Sequence, residues 1–145
     1  LKTARVPYLV VLGGLLAALV VAGGACGGSG HATAVTTSEH DFAVSLGTTS
    51  APAGKVRFEI ANDGPSAHEL VVFRTHLADD KMPTDPDGKI IEDDPQIKSV
   101  ADTGGDVGRG QHKTLTAKLA AGHYVVVCNL PSHYKLGMHS TLTVT

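Results

Sequence analysis

The chain reads as an all-β protein, a Greek-key β-sandwich, and three observations point there. Short runs of alternating apolar and polar residues recur from about Val35 to the end, each closed by Gly, Pro, Asn or Asp. Six or seven such runs fit into roughly 110 residues, the strand count and spacing of a two-sheet sandwich. The whole chain has 145 residues with 4% aromatic content and no Trp, enough for one domain with a modest core.

A segment of another kind precedes the sandwich. Lys2 and Arg5 stand before Val6–Ala25, a run without a single charged side chain. A basic start followed by an apolar stretch is an export signal, or a membrane anchor if it stays uncleaved, so residues 1–25 are set apart from the fold. Cys26 closes the run, and Gly27-Gly28-Ser29-Gly30 opens a flexible tether over residues 26–34. Small residues leading into a cysteine resemble a bacterial lipoprotein signal with Cys26 as the lipidated residue. The lipoprotein pattern has a Leu-like residue three positions before the cysteine, where this chain has Gly23. Lipidation, cleaved secretion and an uncleaved anchor thus remain three alternatives. All three put residues 35–145 outside the cytoplasm, in a periplasmic or cell-surface setting. Residues 26–145 carry ten basic and fourteen acidic side chains, a net of −4. A mildly acidic domain without a basic patch is not a general nucleic-acid binder.

The elements follow in chain order. Asp41-Phe42-Ala43-Val44-Ser45-Leu46 alternates, and the turn-rich stretch 47–54 leads through Pro52 into Lys55-Val56-Arg57-Phe58-Glu59-Ile60, whose Val56, Phe58 and Ile60 share one face. Asn62-Asp63-Gly64-Pro65 is a turn. Glu69-Leu70-Val71-Val72-Phe73 is almost wholly apolar and is expected to be a central strand. Residues 75–110 hold several prolines and glycines. Nine acidic residues against three lysines lie between Asp79 and Asp106. This stretch is expected to form a solvated acidic loop with a short helix or turn near 95–101 and no strand. Asp85-Pro86-Asp87-Gly88 lacks the further oxygen spacing of a calcium loop. Strands resume at 112–119 and 123–128, joined through Ala121-Gly122, and end with 138–145.

The candidate site lies between the last two runs. Cys128, His133 and Met138 stand at spacing Cys-x4-His-x4-Met directly after Tyr124-Val125-Val126-Val127. A strand running into a short loop can fold a thiolate, an imidazole and a thioether towards one point. Soft sulfur with imidazole nitrogen suits copper, and two histidines, one cysteine and a distant axial methionine make a blue-copper site. The trio lacks one histidine. His31 and His40 lie near the tether, His112 and His123 sit beside turns, and His76 opens the long loop. His139 points away from Met138 in an extended segment. His68 follows the Asn62–Ser66 turn at the mouth of a strand, an end that a sandwich brings beside 128–138, and is the candidate second imidazole. Metal ligation also accounts for Cys128 as a lone thiol in an oxidising compartment better than an inert buried role does.

In these motifs the chain resembles the cupredoxins, the small blue copper proteins. Gly122-x-Tyr124-x3-Cys128, Cys128-x4-His133-x4-Met138 and the Asn62-x-Gly64-x3-His68 lead-in carry the resemblance over residues 35–145. The wide spacing, with Pro131 before the histidine and Gly137 before the methionine, is closer to the sulfocyanin and rusticyanin branch than to plastocyanin. The resemblance implies one type 1 copper per chain, with imidazole nitrogens from His68 and His133, a short thiolate bond from Cys128 and an axial sulfur from Met138. His133 would be the more exposed ligand, ringed by Leu130, Pro131, Leu136 and Gly137 as an apolar docking patch. Many cupredoxins have Asn directly after the first histidine, tying the two ligand loops together, where this chain has Glu69.

The implied role is extracytoplasmic electron transfer, cycling Cu(I)/Cu(II) between redox proteins, membrane-bound respiratory components among them. The membrane attachment would run through the anchor or through lipidated Cys26. The alternative is an extracytoplasmic copper carrier, which would favour a Met-rich, exchangeable ligand set; the chain has only Met82 and Met138. No enzyme is expected. A multicopper oxidase needs His-x-His pairs and a binuclear copper loop needs two cysteines, and neither pattern occurs.

Overall fold

The computed structural model describes residues 30–145; the expected signal or anchor at 1–25, Cys26 and most of the tether lie outside them. Among the described residues nine strands form: β1 Thr33–His40, β2 Ala43–Leu46, β3 Ser50–Ala51, β4 Gly54–Asn62, β5 Val71–Thr75, β6 Ile97–Asp102, β7 His112–Leu119, β8 Gly122–Val127 and β9 His139–Val144. They build two sheets, ordered β2-β1-β4-β7 and β3-β9-β8-β5-β6. The pairs β1/β4 and β3/β9 are parallel and the other ladders antiparallel.

Alternation along the strands decides what meets what. Val35 on β1, Val56, Phe58 and Ile60 on β4 and Ala117 and Leu119 on β7 share one buried cluster with Val72, Tyr124, Val126, Leu142 and Val144 of the other sheet. The opposite faces of β5 and β8 are covered as well. Val71, Phe73, Val125 and Val127 pack with Met82, Ile90, Ile97 and Tyr134 in a second cluster. A strand buried on both faces has no polar side to show, so Leu70–Phe73 into β5 and Tyr124–Val127 in β8 read as unbroken apolar runs. The Tyr124 hydroxyl donates to the Ala120 carbonyl at 2.7 Å and fastens the turn that launches β8.

Three expectations are corrected. The strand count is nine rather than six or seven, because Thr33–His40 forms its own strand before the turn at Asp41 and a two-residue β3 joins an edge. Of the stretch near 95–101, Pro95 and Gln96 do form a turn, closed by Ile97 N–H on the Asp94 carbonyl, but Ile97–Asp102 is a strand, β6, where none was expected. It pairs antiparallel with β5 at the sheet edge, with a register shift between Val72 and Phe73. An edge strand with a half-buried run in its middle has no clean in-out rhythm, so its sequence lacks the period-two signal. Nor is the acidic excursion simply a solvated loop. Met82, Ile90 and Ile97 are buried in the second cluster, while most of the acidic side chains face water.

The ladder register brings the candidate ligands to one end of the molecule. Val71 of β5 pairs with Val127 of β8, so the residues just before β5 lie beside the residues just after β8. Val127 also pairs with His139, which makes 128–138 the loop of the β8–β9 hairpin. The β1–β2 turn emerges at the same end, since Glu39 sits opposite Asn62 at the finish of β4.

Candidate metal centre

Backbone hydrogen bonds close the 128–138 loop into a ring. Cys128 N–H donates to the Met138 carbonyl and Met138 N–H to the His133 carbonyl, both at 3.1 Å. His133 N–H donates to Leu130 and Gly137 N–H to Tyr134, so the segment between Cys128 and Met138 is a series of tight turns. On the facing loop, His68 N–H and carbonyl exchange bonds with Val107. Asn62 braces this lead-in, its amide donating to the Ser66 and Val107 carbonyls and its Oδ1 accepting from Gly64 N–H.

The side chains of His68, Cys128 and His133 converge. Their donor atoms all lie within 4.8 Å of one another. His68 Nδ1 is 3.3 Å from His133 Nδ1, Cys128 Sγ is 3.3 Å from His133 Nδ1, and Cys128 Sγ is 3.9 Å from His68 Nδ1. A triangle with these sides has its centre about 2 Å from every corner, the length of metal–imidazole and metal–thiolate bonds. His68 and Cys128 are fully buried, and His133 is half-buried. Met138 is also fully buried, in the same cluster as Cys128, with its backbone tied to both Cys128 and His133. All four residues singled out from the sequence therefore meet at one end, three of them through their donor atoms. His40, His112, His123 and His139 do not belong to this cluster; His139 Nδ1 lies 2.9 Å from an Asp79 carboxylate oxygen.

The electrostatics suit a cation. Burial pushes the Cys128 thiol up to about 11, against the backbone amides of Glu69 and Leu130, which favour its thiolate. Glu69 N–H lies 3.3 Å from Sγ, so the link between the two ligand loops runs through the main chain and does not need an Asn side chain at residue 69. Burial also holds His68 below the ordinary histidine value, with His133 adding to this and Asp41 opposing it. Without metal the Cys128 thiol keeps its proton, and a bound cation would take that proton's place. Two nitrogens, one thiolate and a buried thioether are a copper donor set, and the residues fit that metal.

Several contributors escaped the sequence reading. Phe42, 44% exposed, sets its ring edge against His133 at 5.7 Å between centroids. Of the apolar patch expected from the sequence, Leu136 is 54% exposed, Pro131 is exposed and Gly137 half-buried, while Leu130 packs on the core. Asn129 is buried; its Oδ1 accepts from Ile90 N–H at 2.6 Å and its amide donates to Glu92 Oε1 at 2.8 Å. Ser132 N–H donates to the Asp87 carbonyl at 2.9 Å, and the Tyr134 hydroxyl joins Met82 and Asp79. Gly88 adopts φ +78°, and a Cβ there would lie 3.2 Å from Ser132 Cα, so the excursion approaches the ligand loop closely. Asp85-Pro86-Asp87-Gly88, expected as part of a solvated acidic loop, clamps the ligand loop in this way. The one sequence signal available was the apolar pair Ile90-Ile91 inside an otherwise polar stretch.

Comparison with known proteins agrees with this geometry. Residues 37–145 match the sulfocyanin (SoxE) domain. No curated protein sequence matches the chain significantly. Among solved structures, dithionite-reduced auracyanin from the photosynthetic bacterium Roseiflexus castenholzii is similar, with 24% identity and a TM-score of 0.58 over 80% of this chain and 99% of its own. Rusticyanin from Thiobacillus ferrooxidans follows with 20% identity and a TM-score of 0.56 over 81% of this chain and 79% of its own. Auracyanin A from Chloroflexus aurantiacus, described as a blue copper protein, has 18% identity and a TM-score of 0.51 over 79% of this chain and 100% of its own. With a cupredoxin-type fold and a domain match over most of its length, the chain belongs to the sulfocyanin (SoxE) domain family.

Proposed function

We propose that the chain is an extracytoplasmic type 1 copper electron-transfer protein that binds one copper through His68, Cys128, His133 and axial Met138. The observation that carries this reading is the buried convergence of two imidazole nitrogens and one thiol sulfur at one end of two sheets. We take those sheets as a Greek-key sandwich. Copper held there supplies a one-electron Cu(I)/Cu(II) couple. The chain supplies the rest. Buried His68, Cys128 and Met138 exclude water. The closed ring of backbone bonds from Cys128 to Met138 keeps the donors in one geometry, so little reorganisation accompanies electron transfer. The Glu69 amide donates towards the thiolate and spreads its charge.

Half-buried His133, framed by Phe42, Pro131 and Leu136, offers the route by which an electron enters and leaves. Redox proteins docking there, membrane-bound respiratory components among them, are the proposed partners. Attachment to the outer face of the membrane would run through lipidated Cys26 or an uncleaved anchor at 1–25. The family and fold agree with a non-catalytic electron-transfer role rather than an enzyme. A copper chaperone reading is disfavoured because delivery calls for exchangeable ligands, and two of the three converging donors are sealed.

The test is a visible spectrum of the full chain loaded with Cu(II), beside Cys128→Ser. The expected result is an intense thiolate-to-copper band that bleaches reversibly on reduction and is missing in the variant. Tight Cu(I) binding without that band would favour the carrier, and no copper binding would overturn both.

A further inference from the structure

The turn between β1 and β2 reaches into the site from outside the ligand loops. His68 Nε2, the ring nitrogen facing away from Cys128 and His133, lies 2.9 Å from Asp41 Oδ1. Both atoms are shut off from solvent and neither has any other partner, so the carboxylate oxygen is the one polar group within hydrogen-bonding distance of Nε2. Two buried polar atoms that close, with no alternative partner, have only each other to offset their desolvation.

The surroundings aim the carboxylate. Ser66 Oγ donates to Asp41 Oδ2 at 2.6 Å, leaving Oδ1 to face the imidazole. Asn62 fixes the Ser66 backbone through its 2.7 Å bond to the Ser66 carbonyl. Gly64 lets the two segments meet: a Cβ there would stand 3.0 Å from Asp41 Oδ1, 3.1 Å from Asp41 N and 3.2 Å from His40 Cα. The Asn62-x-Gly64-x-Ser66-x-His68 lead-in thus builds a cradle for a carboxylate supplied by a different strand pair.

We propose that Asp41 is a positioning residue that holds the His68 proton on Nε2, turns the Nδ1 lone pair towards the metal centre and, through that imidazole, favours the more highly charged state of the metal. The copper part rests on the function proposed above; the tautomer part does not. A carboxylate behind a ligating imidazole fixes the tautomer and makes the ring a stronger donor. A stronger donor and a nearby negative charge both stabilise Cu(II) over Cu(I), which lowers the potential. Asp41 touches neither copper nor any partner, so its effect passes through His68.

The experiment compares the full chain with Asp41→Asn, Ser66→Ala and, as a charge control, Asp63→Asn. Asp63 is an exposed acid of the neighbouring Asn62–Ser66 turn whose carboxylate bonds Ser38. Two quantities are read: the His68 tautomer in the metal-free protein by long-range proton–nitrogen NMR, and the midpoint potential of the copper-loaded protein. Asp41→Asn is expected to mix the His68 tautomers. It should also raise the ratio of Cu(I) to Cu(II) affinity tenfold or more, an upward shift of 59 mV. Ser66→Ala should move both readings the same way by less, and it decides the matter if Asp41→Asn does not fold. An unchanged tautomer in Asp41→Asn, or a potential shift no larger than that of Asp63→Asn, overturns the proposal. If the wild-type chain takes up no copper, the proposed function fails and the metal-free tautomer alone decides the role of Asp41.

Discussion

Glu39 is the most exposed weakness in the energetics of this fold, although no solvent reaches it. Its side chain leaves β1 on the core-facing side, beside Asn62, fully buried and with neither carboxylate oxygen hydrogen-bonded. Burial above all, and then the negative charge of Glu69, raise its pKa from 4.5 to about 7, while Lys113 pulls the other way. The folded chain therefore binds more protons than the unfolded chain between those two values. Stability must fall as pH rises through that window and level off above it. A rise from 4.5 to about 7 corresponds to about 3 kcal/mol. That is a large share of the roughly 5–15 kcal/mol that keeps a domain folded. Glu39→Gln keeps the shape and polarity of the neutral acid but cannot ionise. Urea unfolding of the metal-free protein should find the two chains equally stable near pH 4.5 and the variant about 3 kcal/mol more stable near pH 8. Glu69, whose own pKa is raised mainly by burial, adds a slope to both chains, so the difference between them reports Glu39 together with its coupling to Glu69. Parallel pH profiles would refute the assignment of a neutral buried acid.

Two further predictions concern the excursion over the ligand loop. Ile90→Ala should cost about 2–5 kcal/mol in urea unfolding, the range for emptying a packed site, where a freely solvated loop would show changes within about 0.5 kcal/mol. Asn129→Ala leaves the Ile90 N–H buried and unpaired. It should destabilise the metal-free chain by about 1–3 kcal/mol, with amide exchange speeding up first at Ile90 and around Ser132. Wild-type stability in either variant would mean that the excursion does not brace the 128–138 loop.

Much of the architecture was readable in one dimension because strands buried on a single face write their period into the chain. Val56, Phe58 and Ile60 show it on β4, and β7 begins and ends at the residues expected, His112 and Leu119. The ligand trio was readable for a related reason: Cys128, His133 and Met138 belong to one short loop, so their spacing already limits how far apart they can be. His68 needed the assumption of a sandwich, and the Val71–Val127 register is what makes it a neighbour of Cys128. The edge strand β6 and the clamp at 82–92 were not readable, since partial burial and contacts made by main-chain atoms leave no residue pattern behind. Asp41 is the clearest case of what folding alone decides. In the sequence it is a polar residue opening an alternating run, 27 positions before His68. Only the close approach of two turns, permitted at Gly64 and aimed by Ser66, turns that aspartate into the partner of a buried imidazole. Local periodicity and short-loop spacing are properties of the chain, whereas contacts between turns of different strand pairs exist only once the sheets have closed over a shared core.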